Sequence, residues 1–426
     1  MVGVFCFRND LRLHDNLALQ QALAVCDQLF LVYAFEDRIW KSKHHQIGFF
    51  RAQFLLESLY DIEKGISQVG GSMTYIFGNI EDSIPPFMDE VHADICFLSE
   101  ENSWNEKKAE NSLSQKVHLK TAYDKTLIHL ADLPFSLDQL PDSFSKFRKS
   151  VETNWNIRSC ISSDLTASKI TKSRGNLPAL RDFGITQKTS PKGYYSFTGG
   201  STAGRKRLHE WFWEKGCIST YKKTRNQLKG ADFSSHFSPW IANGSLSPRE
   251  IYHETKKYEA LHGANESTYW LIFELLWRDF FQFFSRLHGR KVFHPCGLNQ
   301  QKEIDREPDQ ADLLFFRWVN GCTANLFINA NINELNQTGW MSNRGRQNVA
   351  SYLIHDLGLD WRRGAEWFEK TLIDYDPCSN YGNWLYLAGY CSETKTVRYF
   401  NTTIQSMVYD PKGEYTKDWI DSPVSN

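Results

Sequence analysis

Residues 340–384 read WMSNRGRQNVASYLIHDLGLDWRRGAEWFEKTLIDYDPCSNYGNW. Asn343 and Arg346 lie three apart, so on a helix they share one face with Gln347 close by. A second helical pattern follows, and then Asp374 and Asp376 project from a Pro-Cys-Ser-Asn loop that also carries Asn380. Two acids, an arginine and two amides converging on one place predict a polar pocket for a ligand rich in N–H and C=O groups. Trp361 and Trp384 bracket that pocket with aromatic rings.

The surroundings share the same periodicity. From Ser201 onward, long segments repeat apolar residues every 3.6 positions and strand patterns disappear, which predicts an all-helical second half. Its most apolar stretch is Asn265–His288, NESTYWLIFELLWRDFFQFFSRLH. Glu274, Trp277 and Arg278 occupy one face of it. A glutamate in so aromatic a helix needs a partner. Two readings stand: a local ion pair with Arg278, or a carboxylate facing a ligand cavity with Trp277 as a stacking surface. Upstream, Tyr221 precedes the basic run KKTRNQLK, and Ser234, Ser235 and Ser238 lead into a helical pattern. Clustered hydroxyls and backbone N–H groups at such a junction suit a phosphate, although a serine-rich turn also serves as an ordinary N-cap.

The first third reads differently. Short apolar runs at Val2–Phe7, Leu29–Phe35, Met73–Phe77, Asp94–Leu98 and Lys120–Ile128 alternate with helical patterns such as Phe49–Lys64. That alternation predicts βαβ units and a mostly parallel sheet. No GxGxxG follows the first strand, so an ordinary dinucleotide site there is unsupported. Arg8-Asn9-Asp10-Leu11-Arg12 with Asp15-Asn16 reads as a solvated loop. Between the halves, periodicity weakens and prolines accumulate. The expected organisation is an α/β domain over 1–130, a linker over 131–200 wrapping the surface, and a helical domain over 201–426.

Bulk properties narrow the function classes. The 426 residues carry 49 basic and 50 acidic side chains, so nucleic-acid binding would need a local basic patch rather than net charge. Nine cysteines without a CxxC pair, and thirteen histidines without HExxH, argue for reduced thiols and against a metal site. The charged N-terminus is no signal peptide and no run of 18 apolar residues occurs, so a soluble, cytoplasmic protein is expected.

Taken in order, FRNDLRLHDN, STYKKTRN, FSPWIANGSLSPR, ELLWRDF and NRGRQNVAS…DW…DYDPCSNYGNW resemble the photolyase/cryptochrome flavoprotein family across nearly the whole chain. FTGGSTAG, NRGRQNVAS and DYDPCSNYGNW resemble its DASH-type branch. The resemblance implies a Rossmann-like parallel-sheet antenna domain followed by an all-α domain holding a U-shaped FAD. It implies that Tyr221, Ser234, Ser235 and Ser238 hold the phosphate and ribityl parts. Arg278, Asn343, Arg346, Asp374 and Asp376 would surround the rings, with Arg346 paired to Asp374 and Asn380 facing flavin N5. The implied activity is that of a deoxyribodipyrimidine photo-lyase, in which excited reduced flavin donates an electron to a flipped pyrimidine dimer. Glu274 would bond a thymine edge and Trp277 stack on the dimer. Gln347 and Tyr386 stand where duplex-repair relatives carry Met and Trp, which implies single-stranded DNA as substrate. Arg344 would contact phosphate. Glu152, in FRKSVE, matches a contact to a methenyltetrahydrofolate antenna. A monomer is expected. The alternative within the family is a blue-light photoreceptor with little repair, which the short end after EYTKDWIDSPVSN disfavours.

Two departures stand out. Trp384 and Trp361 match the first two members of the family's tryptophan electron chain, but Pro308 occupies the distal position. Slow photoreduction, or exit through another Trp or Tyr, is therefore expected. Thr323–Asn329 replaces a TGYP-type turn and an Asp, a change that removes an acid and could leave a base unpaired.

Overall fold

The first strand, VGVFCF, is apolar on both of its faces, as a strand inside a parallel sheet covered on both sides must be. In the computed structural model, which describes residues 1–42, 47–153, 155–162, 165, 169–172, 175–186, 193–299, 307–391 and 398–420, it is the centre of a five-stranded parallel sheet. The strands are β1 (Val2–Phe7), β2 (Gln28–Phe35), β3 (Met73–Phe77), β4 (Ile95–Ser99) and β5 (Leu119–Ala122), in the order β3-β2-β1-β4-β5. Alternation assigns their side chains. Phe5 and Phe7 join one apolar core, whereas Val4 and Cys6 join another on the opposite face.

Helix α1 (Phe49–Ser67) packs in the first of these cores through Ala52, Leu56 and Leu59. After the sheet comes α2 (Phe144–Glu152) and, from Ser201, a helical assembly with its own large aromatic core. The helices that position the site are α3 (Glu266–His288), α4 (Leu326–Thr338), α5 (Asn343–Ser351), α6 (Trp361–Thr371), α7 (Pro377–Ala388) and α8 (Glu414–Ile420). Helix α3 starts at Asn265, whose side chain accepts from the N–H groups of Ser267 and Thr268 while Thr268 returns a bond to the cap.

The predicted fifth strand is shorter than its apolar run. Beyond Ala122 the backbone leaves the sheet, and the N–H groups of Leu127 and Ile128 bond the Asp279 carboxylate on α3 instead of a neighbouring strand. Their side chains belong to the helical core. The same face of α3 continues this attachment. Gln282 accepts from Asn102 at 2.8 Å, and Arg286 reaches Glu100 at 2.8 Å.

The Arg8–Asn16 loop is also not the solvated segment expected. Asp15 is fully buried and takes a two-point bond from Arg249, at 3.0 and 2.7 Å, with a further bond from Ser247. Arg12 pairs with Asp124 at 3.2 Å and donates to the Gly244 carbonyl. Gly244 has φ +77°, and a Cβ there would lie 2.2 Å from the Asn9 carbonyl oxygen. A run of charges that reads as exposed is instead buried and paired, and Asp15–Arg249 together with the Arg12 bond to Gly244 latches the sheet to the helices. None of the nine cysteines is in a disulfide. Among the described residues no His/Cys/Asp/Glu group could hold a metal, and no helix is long and apolar enough to cross a membrane.

Candidate functional site

A cavity of about 300 Å³ opens in the helical part, within the size range of cofactor sites. Tyr221, Ser234, Ser235, Ser238, Glu274, Arg278, Asn343, Arg346, Gln347, Asp374, Asp376, Asn380 and Trp384 all line it. Segments as far apart as Tyr221 and Trp384 thus converge there. Trp277, Trp361, Arg344, Tyr386 and Glu152 do not line it.

One wall is the Asn343–Asn380 collar. Ser342 caps α5 by accepting from the Gly345 N–H, which turns Asn343, Arg346 and Gln347 toward the cavity. Arg346 donates to Asp374 Oδ2 at 2.8 Å, and Ser238 Oγ donates to the same oxygen at 2.6 Å. Asp374 Oδ1 and Gln347 Oε1 are buried acceptors that meet no donor in the protein. Such acceptors cost about 1–3 kcal/mol each unless a ligand N–H supplies the bond. Asp376 has a different duty. It is the N-cap of α7, accepting from the Ser379 N–H at 2.7 Å and from Gln282 Nε2 at 3.0 Å to each oxygen. Asn380 donates its amide nitrogen to the Ala365 carbonyl at 3.0 Å. The orientation that makes this bond leaves its amide oxygen as the group with accepting capacity.

The opposite wall is the serine loop. Arg207, 1% exposed, donates to the carbonyls of Ala231, Ser234 and Ser235 and to Asp232 Oδ1, so one guanidinium fixes the loop's shape. His236 adopts φ +59°, a left-handed conformation in which histidine is enriched. Its ring lies between Tyr195 and Trp340, at 5.2 and 4.5 Å. Burial pushes its pKa down to about 3, so the imidazole is neutral. Neither Arg207 nor His236 was singled out from sequence. The only signal was a histidine set among the serines.

The third wall is α3. Arg278 donates to the Lys125 carbonyl at 2.7 Å and so is anchored by the α/β half, not by Glu274. Glu274 instead meets Arg225 Nη2 at 2.7 Å. Burial raises the Glu274 pKa, with Arg225 opposing the shift. The local Glu274–Arg278 pair that helix spacing allows is therefore not formed. Arg225 was visible only as part of a basic run. Beside it, Arg344 bonds Asn226 Oδ1 at 3.2 Å and lies over Tyr409 at 4.6 Å, its Nε buried without a partner. Trp277 stands behind the cavity lining. Phe144 of α2 stacks on it at 3.7 Å and 12°, Phe281 lies at 5.5 Å, and Tyr386 meets it edge-on at 5.7 Å. Arg398 covers Tyr386 at 3.8 Å. Arg225, Arg344 and Arg398 interleave with Trp270, Tyr409 and Tyr386, a combination suited to phosphates and bases.

Trp384 and Trp361 are both buried, the second with its indole N–H on the Pro295 carbonyl. Pro308 is exposed beside Gly358, at the approach to α6. The Thr323–Asn329 departure leaves no orphan within the segment. Asn329 Oδ1 accepts from the N–H and the hydroxyl of Thr323, and its amide returns a bond to the Thr323 carbonyl. Asn325 caps α4. Glu152 lies at the end of α2, accepting from the Tyr269 hydroxyl at 2.5 Å with Arg148 at 3.6 Å.

The cavity fits FAD by the chemistry of its donors and acceptors. The adenine amino group and the flavin ring N–H are donors of the kind that Asp374 Oδ1 and Gln347 Oε1 lack. A helical domain with such a cavity, latched to a parallel α/β sheet, defines a flavin-binding protein class. Residues 270–423 match the family model for the FAD binding domain of DNA photolyase, and 4–164 match that for DNA photolyase. The chain is 42% identical to "Cryptochrome DASH" of Synechocystis sp., over 97% of its own length and 86% of that protein. It is 40% identical to "Cryptochrome DASH, chloroplastic/mitochondrial" of Oryza sativa subsp. japonica, over 98% of this chain and 77% of that one. The crystal structure of the Synechocystis sp. cryptochrome superposes with a TM-score of 0.92 at 41% identity, covering 99% of this chain and 88% of the other. The chain belongs to the photolyase/cryptochrome family, in its DASH-type branch.

Proposed function

We propose that the protein is a light-dependent lyase that splits cyclobutane pyrimidine dimers, acting as a monomer and preferring single-stranded DNA. The observation that carries this reading is Glu274. It lines the same cavity as the Arg346–Asp374 collar, and its carboxylate is held from outside the cavity wall by Arg225 rather than by a helix neighbour. A base edge that displaces solvent there meets an oriented carboxyl group in a low-dielectric site. Gln347 presents a second unmet acceptor in the same cavity.

FAD, when bound, reduced and excited, supplies the electron that splits the dimer. The chain's residues do the rest. Asn380 offers an amide oxygen at the collar, an acceptor suited to the N–H that a reduced ring carries at N5. Arg346 and Asp374, on the same wall, would hold the ring through the guanidinium and the unmet Asp374 Oδ1. Glu274 orients the substrate, and Tyr386, braced by Trp277 and Arg398, shapes the mouth. Flipping two bases from a duplex costs a few kcal/mol of stacking and pairing, and a single strand avoids most of that. A mouth with Gln347 and Tyr386 in place of larger apolar groups repays less of it. Arg225 and Arg344 bind phosphate. Glu152, with Tyr269 beside it, would hold the methenyltetrahydrofolate antenna.

Illuminating the reduced protein with thymine-dimer oligonucleotides, single- and double-stranded, tests the reading. Dimer loss is expected on the single strand and slowed strongly by Glu274→Ala. DNA binding without dimer loss on either substrate would instead support a blue-light receptor.

A further inference from the structure

The electron path from the cavity has two tryptophans and no third at the usual place. The seam between α6 and α7 supplies another ring. Gly364 and Trp361 lie one turn apart on α6, and the missing side chain at Gly364 lets the Trp384 ring lie against that helix. A Cβ there would sit 2.1 Å from the indole. Tyr381 lies one turn before Trp384 on α7, and its ring centre is 6.3 Å from that of Trp361 at 78°. Its hydroxyl donates to Glu369 Oε2 at 2.9 Å. Tyr381 and Glu369 both line a second cavity of about 350 Å³ between the sheet domain and the helical domain.

The tryptophan whose ring meets that of Trp384 leads nowhere. Trp318 lies 6.4 Å away, fully buried, with its indole N–H on the Val349 carbonyl. Its other ring contacts among the described residues are Phe315 and Phe368, which are far harder to oxidise than Trp or Tyr. Pro308 carries no oxidisable group. Tyr381 differs from these in having a carboxylate on its hydroxyl. A phenol gives up an electron readily only if its proton leaves with it, and Glu369 is placed to take that proton. Burial and the Glu369 charge raise the Tyr381 pKa, so the phenol keeps its proton until it is oxidised.

The geometry points to Tyr381 as the terminal internal electron donor of this protein, with Glu369 as its proton acceptor. The inference rests on FAD occupying the first cavity. After light drives one electron from Trp384 to oxidised flavin, Trp361 refills Trp384. Tyr381 then passes one electron to the Trp361 radical cation. Its O–H bond breaks, and the proton moves to Glu369. The products are neutral Trp361, a neutral tyrosyl radical and a protonated Glu369. A thiol from solution, reaching the second cavity, returns one hydrogen atom to the tyrosyl oxygen and leaves as a thiyl radical. Glu369 then releases its proton to solvent.

Pulsed illumination of the holoprotein with oxidised flavin, read by transient absorption and time-resolved electron paramagnetic resonance, tests this assignment. The expected result is a tryptophan radical that converts to a tyrosyl radical, whose hyperfine pattern collapses when the protein contains ring-deuterated tyrosine. Tyr381→Phe loses the tyrosyl signal, and its steady photoreduction with added thiol falls to that of Trp361→Phe. Glu369→Gln keeps the phenol but slows tyrosyl formation. A tyrosyl radical of unchanged yield in Tyr381→Phe, or a wild-type signal that stays on tryptophan, overturns the assignment. If Tyr381→Phe does not retain flavin, Glu369→Gln decides alone, and tyrosyl formation as fast as in wild type counts against it. A wild-type preparation unable to take up flavin would refute the reading of the first cavity instead.

Discussion

Asp376 offers a direct test of how the cavity is held together. Its carboxylate caps α7 through the Ser379 N–H and takes both contacts from Gln282 Nε2, and Gln282 in turn accepts from Asn102 of the sheet domain. Gln282 is fully buried and Asp376 is 5% exposed. Asp376→Ala removes an N-cap, worth about 1 kcal/mol. It also strands the Gln282 amide, a buried donor whose lost bond costs about 1–3 kcal/mol. The sum is roughly 3 kcal/mol. For a domain of about 200 residues, that lowers Tm by roughly 6–12 °C. Asp376→Asn keeps an acceptor for Ser379 and for Gln282, so it should cost less than about 1 kcal/mol. Both variants should be melted at one fixed flavin concentration, because bound ligand raises Tm by mass action. Equal destabilisation by Ala and Asn would mean that the negative charge, not the acceptor geometry, is what matters. A shift in Asp376→Ala of under about 2 °C would refute the network as a structural tie.

Arg344→Ala should weaken DNA binding about equally for all sequences and reduce the slope of log affinity against log salt by about 1. An unchanged slope in a fluorescence-anisotropy titration would remove Arg344 from the DNA face. Glu334, buried on α4, has its pKa pushed up to about 8 by loss of solvent, against the opposing effects of the Tyr415 hydroxyl and the Arg346 charge. The folded state therefore holds a proton that the unfolded state releases near pH 4.3, and this stabilisation is lost progressively as pH rises from about 4.3 to about 8, at about 1.4 kcal/mol per unit. Glu334→Gln should flatten that part of the urea-unfolding profile. A profile identical to wild type would mean Glu334 is ionised throughout.

How much of this was legible follows from sequence distance. Strands β1 and β3 occupy the short apolar runs read from the sequence, because a strand covered on both faces is apolar along its whole length. The collar was legible because Asn343, Arg346 and Gln347 are joined by helix spacing and Asp374 and Asn380 are six residues apart, although Pro377–Asn380, read as a loop, is the first turn of α7. Long-range choices were not. Glu274 had a partner four residues away and took one 49 positions upstream, Arg225, because Arg278 was drawn to the Lys125 carbonyl. The buried latch at Asp15 reads as solvated because its partner Arg249 lies 234 residues on. Apolar Leu127 and Ile128 extend a strand pattern, yet their N–H groups go to Asp279 on α3. In each case local propensity was satisfied and a desolvated charge elsewhere set the outcome.

The two halves of the proposed chemistry place opposite demands on the same aromatic residues. Repair needs an electron to leave reduced flavin for the substrate and return. Photoreduction needs a different electron to leave the protein for good. A path that ended at a third tryptophan on the surface would meet the second demand with no proton movement. Ending at Tyr381 makes the exit conditional on Glu369 being ionised. Removing that acceptor, as in Glu369→Gln, should therefore slow the exit. The dimer-splitting electron does not pass through Tyr381 or Glu369, so that substitution should leave repair by already reduced protein in place. Photoreduction that slows in Glu369→Gln while repair continues would therefore report proton transfer from Tyr381 to Glu369.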